Sequence, residues 1–353
     1  MTDDEIGAYA FKVWNFKQGE IVSLMIHLGD RLGLYQAMSG SGPVTAAELA
    51  AQTGLQERWL LEWLRSQAAA GLISTRDGDT FELPPEAAPV LVDETTSSWY
   101  AGGAFFGAAA PADVVDGITD AFRTGIGLSY DQLGPSAAHQ VERLLGPGTR
   151  LALVPVILPA LDGVSERLRS GARVADVGCG AGLALLTMAE AYPASEFDGF
   201  DPSLHAIEVA RHRLAESGVG NARFHVREAA DLPEEPTYDF IITFDCLHDM
   251  TRPADAFAAI RGALRPDGVW LVKEIRSSPT WSDNLRNPML AMMYGTSITT
   301  CMSSALSEPG GAGLGTLGMH RERAEAMARE AGFTRFQVHD FDDPVNLYYE
   351  IRA

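Results

Sequence analysis

The chain has 353 residues, 46 % hydrophobic and 21 % charged, with a formal net charge of −20. That length suggests about two domains with ample core, and the acidity disfavours nucleic-acid backbones and anionic membrane surfaces as partners. Cys179, Cys246 and Cys301 form no C-x-x-C pair and no even framework, which fits a reducing compartment and argues against a zinc site.

The opening MTDDEIGAYA is acidic, unlike a signal or transit peptide. No apolar run approaches the ~18 residues of a membrane span, so a cytoplasmic protein is expected. Residues 1–40 read as helical, with Ile21, Leu24, Met25, Leu28 and Leu32 at helical spacing. Thr45 with Glu48 forms a capping box that opens a helix, and Thr53-Gly54 ends it. A second amphipathic helix, Gln56–Ala70, is expected to place Trp59, Leu60, Trp63 and Leu64 on one face. Asp77-Gly78 then reads as a hairpin turn. Helix, turn, helix and hairpin make a winged-helix arrangement. Such domains often bind DNA. Here Arg58 and Arg65 face Glu57 and Glu62, and Arg76 faces Asp77, Asp79 and Glu82, a poor footprint for phosphate.

Residues 96–165 hold further helices, with Trp99, Tyr100, Phe105 and Phe106 among small residues and a loop centred on Tyr130. From Arg173 onward, strands and helices alternate, the mark of a parallel α/β sheet. The predicted strands are Arg173–Val177, Glu196–Phe200, Ala222–Val226, Tyr238–Phe244, Val269–Lys273 after a Pro266-Asp267-Gly268 turn, Arg335–Asp340 and Asn346–Arg352. The last two are joined by a short turn and must be antiparallel. Residues 277–319 interrupt the rhythm with Met289, Met292, Met293, Tyr294 and Met302, then a glycine-rich run. A methionine-rich segment of this kind suits an adaptable apolar wall.

The stretch RVADVGCGAG, Arg173–Gly182, carries the chemistry. A strand runs through glycines into a helix, and the glycines let a ligand approach the backbone. The pattern is D-x-G-x-G-x-G rather than G-x-G-x-x-G. Asp176 at the strand end would repel a pyrophosphate and suits a cationic ligand. Asp201 follows about 20 residues on, the spacing at which an acid meets ribose hydroxyls.

This stretch resembles motif I of class I S-adenosylmethionine-dependent methyltransferases, and the closing hairpin fits their Rossmann-like seven-stranded sheet. The resemblance implies S-adenosylmethionine as cofactor, held by Asp176, Gly178, Gly180, Gly182 and Asp201. It also implies that Ala230, Asp231 and Phe244 surround the adenine end. FDCLHDM, Phe244–Met250, resembles the L-H-D-W run of small-molecule O-methyltransferases, with Met250 in place of Trp. There the histidine is the general base, which assigns that role to His248. Glu274 stands where the family orients the histidine, and Asp249 is a second candidate. The family's second acid has no clear counterpart, Glu322 being the nearest.

A few related C-methyltransferases imply an alternative, a ferrous ion on His248, Asp249 and a second histidine such as His320. The implied domains are a winged-helix-like dimerisation domain (1–95), linking helices that wall the pocket (96–165) and a methyltransferase domain (166–353) with a substrate cap (277–319). The expected activity is methyl transfer to a small acceptor, foremost at a hydroxyl oxygen, by a homodimer. N- or C-methylation and a cofactor-sensing DNA-binding regulator are the alternatives.

Overall fold

The computed structural model describes residues 2–105, 110–134 and 137–353. The chain divides into two compact units, Met1–Ala109 with Arg143–Leu151, and Ala110–Glu142 with Ala152–Ala353. The segment read as linking helices is therefore shared out between the units. Phe106 lies outside the described residues.

In the first unit, helix α1 (Asp3–Arg31) starts at the Thr2 capping box, and α2 (Leu34–Met38) follows. Strand β1 (Val44–Thr45) leads into α3 (Ala46–Thr53), which opens on the Thr45–Glu48 capping box and ends at left-handed Gly54. Helix α4 is Glu57–Ala69. Strands β2 (Ser74–Thr75) and β3 (Thr80–Glu82) form the hairpin, giving a sheet of order β1-β3-β2. The turn is held by Asp77, whose carboxylate accepts from the Asp79 and Thr80 N–H groups.

Leu60, Trp63, Leu64 and Gln67 make the buried stripe of α4, whereas Trp59 is 81 % exposed. Trp59 lies in the first turn, at the rim of that stripe, so the expected four-residue face is corrected. Ile21 and Leu32 are likewise exposed, and the first half of α1 leaves Tyr9, Phe11, Trp14 and Phe16 in solvent. Arg143 closes an ion-pair network in this unit: its guanidinium donates to Asp30 and Glu94 at 2.8 and 2.9 Å and to the Tyr100 hydroxyl at 2.6 Å. Trp99 is exposed.

The second unit holds a seven-stranded sheet of order β6-β5-β4-β7-β8-β10-β9. Its strands are β4 (Arg173–Val177), β5 (Glu196–Asp201), β6 (Ala222–Val226), β7 (Tyr238–Phe244), β8 (Leu264–Ile275), β9 (Arg335–His339) and β10 (Asn346–Arg352). β4 to β8 run parallel, and β10 is antiparallel to both β8 and β9. Alternating side chains feed two cores, as the strand period of two requires. Val174, Phe240 and Ile242 pack in one with the helices Leu183–Ala191 and Leu204–Ser217. Ala175, Val177 and Ile241 pack in the other with Pro253–Ala263 and Arg321–Glu330.

Strand β8 departs from the prediction. It pairs with β7 from Leu264 onward and has no separate turn ahead of it. Between the pairs Tyr238–Leu264 and Phe240–Val269 the register shifts, so Pro266-Asp267-Gly268 forms an irregularity within the strand. Among the described residues, no single helix is long and apolar enough to cross a membrane.

Candidate active site

Strand β4 lies between β5 and β7, so the strand order reverses beside it. Ligands of open α/β sheets bind at the carboxyl ends of the strands at such a point. Val177 runs there into the turn Gly178–Gly182, which opens the helix Leu183–Ala191. The Gly178 and Cys179 N–H groups donate to the Phe200 carbonyl at 2.8 and 3.1 Å. The Gly180 N–H donates to Asp201 Oδ2, and the Ser203 N–H to Asp201 Oδ1, both at 2.9 Å. Asp201 thus ties the end of β5 to the glycine turn. A carboxylate has about four acceptor sites, so two remain for a ligand's hydroxyls.

Gly178 and Gly182 adopt φ of +76° and +82°. A Cβ on Gly178 would stand 2.6 Å from Cys246 Sγ, and one on Gly182 would stand 2.6 Å from the Phe224 ring. Gly180, at φ +52°, has open space around it. Gly180→Ala should therefore cost only the left-handed strain, about 1–2 kcal/mol. Gly182→Ala should add an overpacking cost of about 1–3 kcal/mol. Urea unfolding of both variants checks the order, and equal costs would contradict it.

Asp176 is buried, and burial together with the nearby Asp201 charge pushes its carboxyl up to about 8. Burial raises Asp201 to about 6, against the pull of the Ser203 and Gly180 N–H groups. Both carboxyls are thus harder to ionise than a free aspartate. Ala230 and Asp231 lie exposed in the short turn Ala229–Asp231, where the Asp231 carboxylate accepts from the Glu228 N–H at 3.3 Å. Phe244 is half-buried, with Lys273 Nζ 5.8 Å from its ring centre.

Past Phe244 the chain turns sharply. Asp245 takes φ +52°, and its carboxylate is fixed by Lys273 Nζ at 2.6 Å and Asn346 Nδ2 at 2.5 Å. The turn Leu247–Asp249 follows. His248 is buried, with Nδ1 2.5 Å from Glu274 Oε2. The other Glu274 oxygen accepts from the Leu247 N–H at 3.1 Å, so one carboxylate holds both the ring and the turn that presents it. Burial pulls the His248 pKa down, but Glu274 and Asp249 outweigh it and the net lies well above the ordinary value. Burial raises Glu274, against the opposing pull of His248.

Asp249 stands on the opposite ring edge from Glu274, its Oδ1 3.1 Å from His248 Nε2. Its Oδ2 accepts from the Tyr130 hydroxyl at 2.5 Å. The next residue, Asp131, accepts from the Ser203 hydroxyl at 2.5 Å, which pins this loop across the ends of the strands. Cys301 joins His248 and Asp249 in one buried cluster.

Two expectations are corrected. His320 lies apart from His248: its side chain caps the helix Arg321–Glu330 and pairs with Glu322 at 3.0 Å. Glu322 is consequently an exposed partner of His320 and not a second acid on His248. Outside this cluster, His225 of β6 is paired with Asp198 of β5 at 2.9 Å. The reading of motifs missed Cys301, Lys273 and Asn346, none of which sits in a motif.

Residues 168–309 match the family described as Methyltransferase domain, and residues 20–93 match the Rv2258c-like winged HTH domain. A ubiquinone biosynthesis O-methyltransferase of Neisseria meningitidis serogroup C is 31 % identical over 127 residues, 35 % of this chain and 52 % of that protein. The chain spans about half the length of the curated relatives it matches. Human N-acetylserotonin methyltransferase, solved with its S-adenosylmethionine, superposes with a TM-score of 0.67 at 18 % identity, covering 100 % of both chains. An O-methyltransferase family protein from Burkholderia thailandensis gives 0.66 at 18 % identity, covering 98 % of each.

The sheet order and the matched domain define a methyltransferase domain over residues 168–309. More particularly, the chain is a methyltransferase-domain protein with a winged helix-turn-helix domain in front.

Proposed function

We propose that the chain transfers a methyl group from S-adenosylmethionine to the hydroxyl oxygen of a small, largely apolar acceptor. The observation that carries this reading is a buried imidazole, oriented by a buried carboxylate 2.5 Å away, in the turn after β7, the strand beside β4 and its glycine turn. When bound, the cofactor supplies an electrophilic methyl group on a sulfonium. Asp176, the turn Gly178–Gly182 and Asp201 would hold it, with Phe244, Ala230 and Asp231 toward the adenine. The acceptor hydroxyl gives its proton to Nε2 of His248. Glu274 keeps the Nδ1 proton in place and stabilises the imidazolium, which makes the ring the stronger base. The buried surroundings favour a reaction in which an oxyanion and a cation neutralise each other.

The winged-helix domain acts in this reading as a dimer clasp. Arg58 is paired with Glu62 and Arg65 with Asp79, which leaves these two arginines of α4 little charge to offer phosphate. The exposed aromatics of α1, Tyr9, Phe11, Trp14 and Phe16, suit a second copy of the chain.

Calorimetric titration with S-adenosylhomocysteine, followed by methyl transfer from labelled cofactor to a panel of phenols and hydroxyl-bearing compounds, tests the proposal. Saturable binding with labelled ether product is expected. Binding with label only on carbon or nitrogen would overturn the O-methylation reading. At pH 7 the Asp176 carboxyl is largely protonated in the free protein. A ligand ammonium beside it favours the carboxylate, so binding should expel a proton between the ordinary carboxylate pKa of ~4 and about 8. Titrations in buffers of different protonation enthalpy read this directly. No buffer dependence, or one unchanged in Asp176→Asn, would remove Asp176 from the site.

A further inference from the structure

Two adjacent residues of the turn Leu247–Asp249 and a cysteine from the later insertion converge in one cluster. One donor atom each from His248, Asp249 and Cys301 lies within 4.8 Å of the others, and all three side chains are buried. Asp249 Oδ1 has no hydrogen-bond partner, although the residue is only 8 % exposed. It stands 3.1 Å from His248 Nε2. Cys301 closes the π-helical turn Ser297–Cys301, a conformation frequent at functional sites. The outer contacts are in place as well. Glu274 holds His248 Nδ1 at 2.5 Å, and the Tyr130 hydroxyl holds Asp249 Oδ2 at the same distance. A carboxylate on the far nitrogen is the usual support of a metal-ligating imidazole.

We propose that His248 Nε2, Asp249 Oδ1 and Cys301 Sγ bind one divalent cation of the zinc class and leave a further position for an acceptor oxygen. The donor set decides the class. Magnesium and calcium take oxygen ligands, whereas thiolate with imidazole selects a softer ion. Three protein ligands with an open fourth position is the arrangement of catalytic zinc.

The expectation against a zinc site rested on cysteine spacing, and the fold supplies the third ligand that spacing could not. The ion and a basic Nε2 exclude each other. In the loaded protein an acceptor hydroxyl on the open position breaks its O–H bond, keeps the electron pair toward the ion, and releases the proton to solvent. That last consequence rests on the methyl-transfer reading, but the binding does not.

The test uses the full chain, stripped with a chelator and dialysed against buffered micromolar zinc, with metal content measured by mass spectrometry. Cobalt substitution is read by the thiolate-to-cobalt charge-transfer band. About one equivalent of zinc is expected, as a single mononuclear site requires. Cys301→Ser should abolish the band and weaken binding at least about tenfold, and Glu274→Gln should weaken it about 10–100-fold. Content well below one equivalent, or zinc and cobalt binding unchanged in Cys301→Ser, overturns the proposal. S-adenosylhomocysteine titration of the same samples separates the two readings. Cofactor binding without metal leaves the methyltransferase proposal standing alone, and metal without cofactor does the reverse.

Discussion

Asp201→Ala should weaken S-adenosylhomocysteine binding by about 10–150-fold, the equivalent of ~1.5–3 kcal/mol for a charged hydrogen bond lost at a buried site. The effect has two sources. In the proposed site the ribose hydroxyls would lose their acceptor, and the Gly180 and Ser203 N–H groups lose theirs, so the turn itself loosens. Asp201→Asn separates them. It keeps one acceptor for the turn and removes the charge, so it should fall between wild type and Asp201→Ala. Calorimetry with NAD as control is the measurement. An unchanged dissociation constant in Asp201→Ala would remove this carboxylate from the cofactor site and with it the reading of Arg173–Gly182.

The second large effect is on turnover. His248→Ala should lower the rate about 10²–10⁴-fold, the usual contribution of a positioned base, with S-adenosylhomocysteine binding nearly intact. The substitution also strands Glu274, a buried carboxylate, and removing one partner of a buried pair costs about 3–5 kcal/mol. Thermal unfolding with and without cofactor must therefore accompany the rates. The paired variant His248→Ala with Glu274→Gln removes the stranded charge and should recover stability but not turnover. Wild-type turnover in a folded His248→Ala protein would eliminate the base.

Much of the fold was legible because its signals are local. Short apolar strands bounded by turn residues, like capped helices, depend on neighbours a few residues away, so β4, β6, β7 and β10 fall at their predicted bounds. Strand β8 was cut short because Pro266-Asp267-Gly268 carries turn chemistry, and a register irregularity against β7 accommodates that chemistry inside the strand. Trp59 was misplaced because spacing gives a stripe but not where the stripe runs out.

The site divides in the same way. Asp176, Asp201 and the glycines form a motif within one β-α-β stretch, and the Glu274 contact to His248 comes from adjacent parallel strands. Cys301 and Asn346 carried no such signal, since their approach depends on the path of the insertion and on an antiparallel strand from the far end of the chain. The Tyr130 loop was visible as a loop, but its bond to Asp249 spans 119 positions.

The way the chain is shared between its two units bears on synthesis and on dissection. Asp30 and Glu94 emerge from the ribosome long before Arg143, which is their ion-pair partner within the same unit. The amino-terminal unit cannot complete its electrostatics until residues 143–151 have been made. The intervening Ala110–Glu142 already belongs to the other unit. A cut after residue 109 would leave an acidic pair, one member of it buried, without its guanidinium, so the two units are best expressed, mutated and measured as one polypeptide.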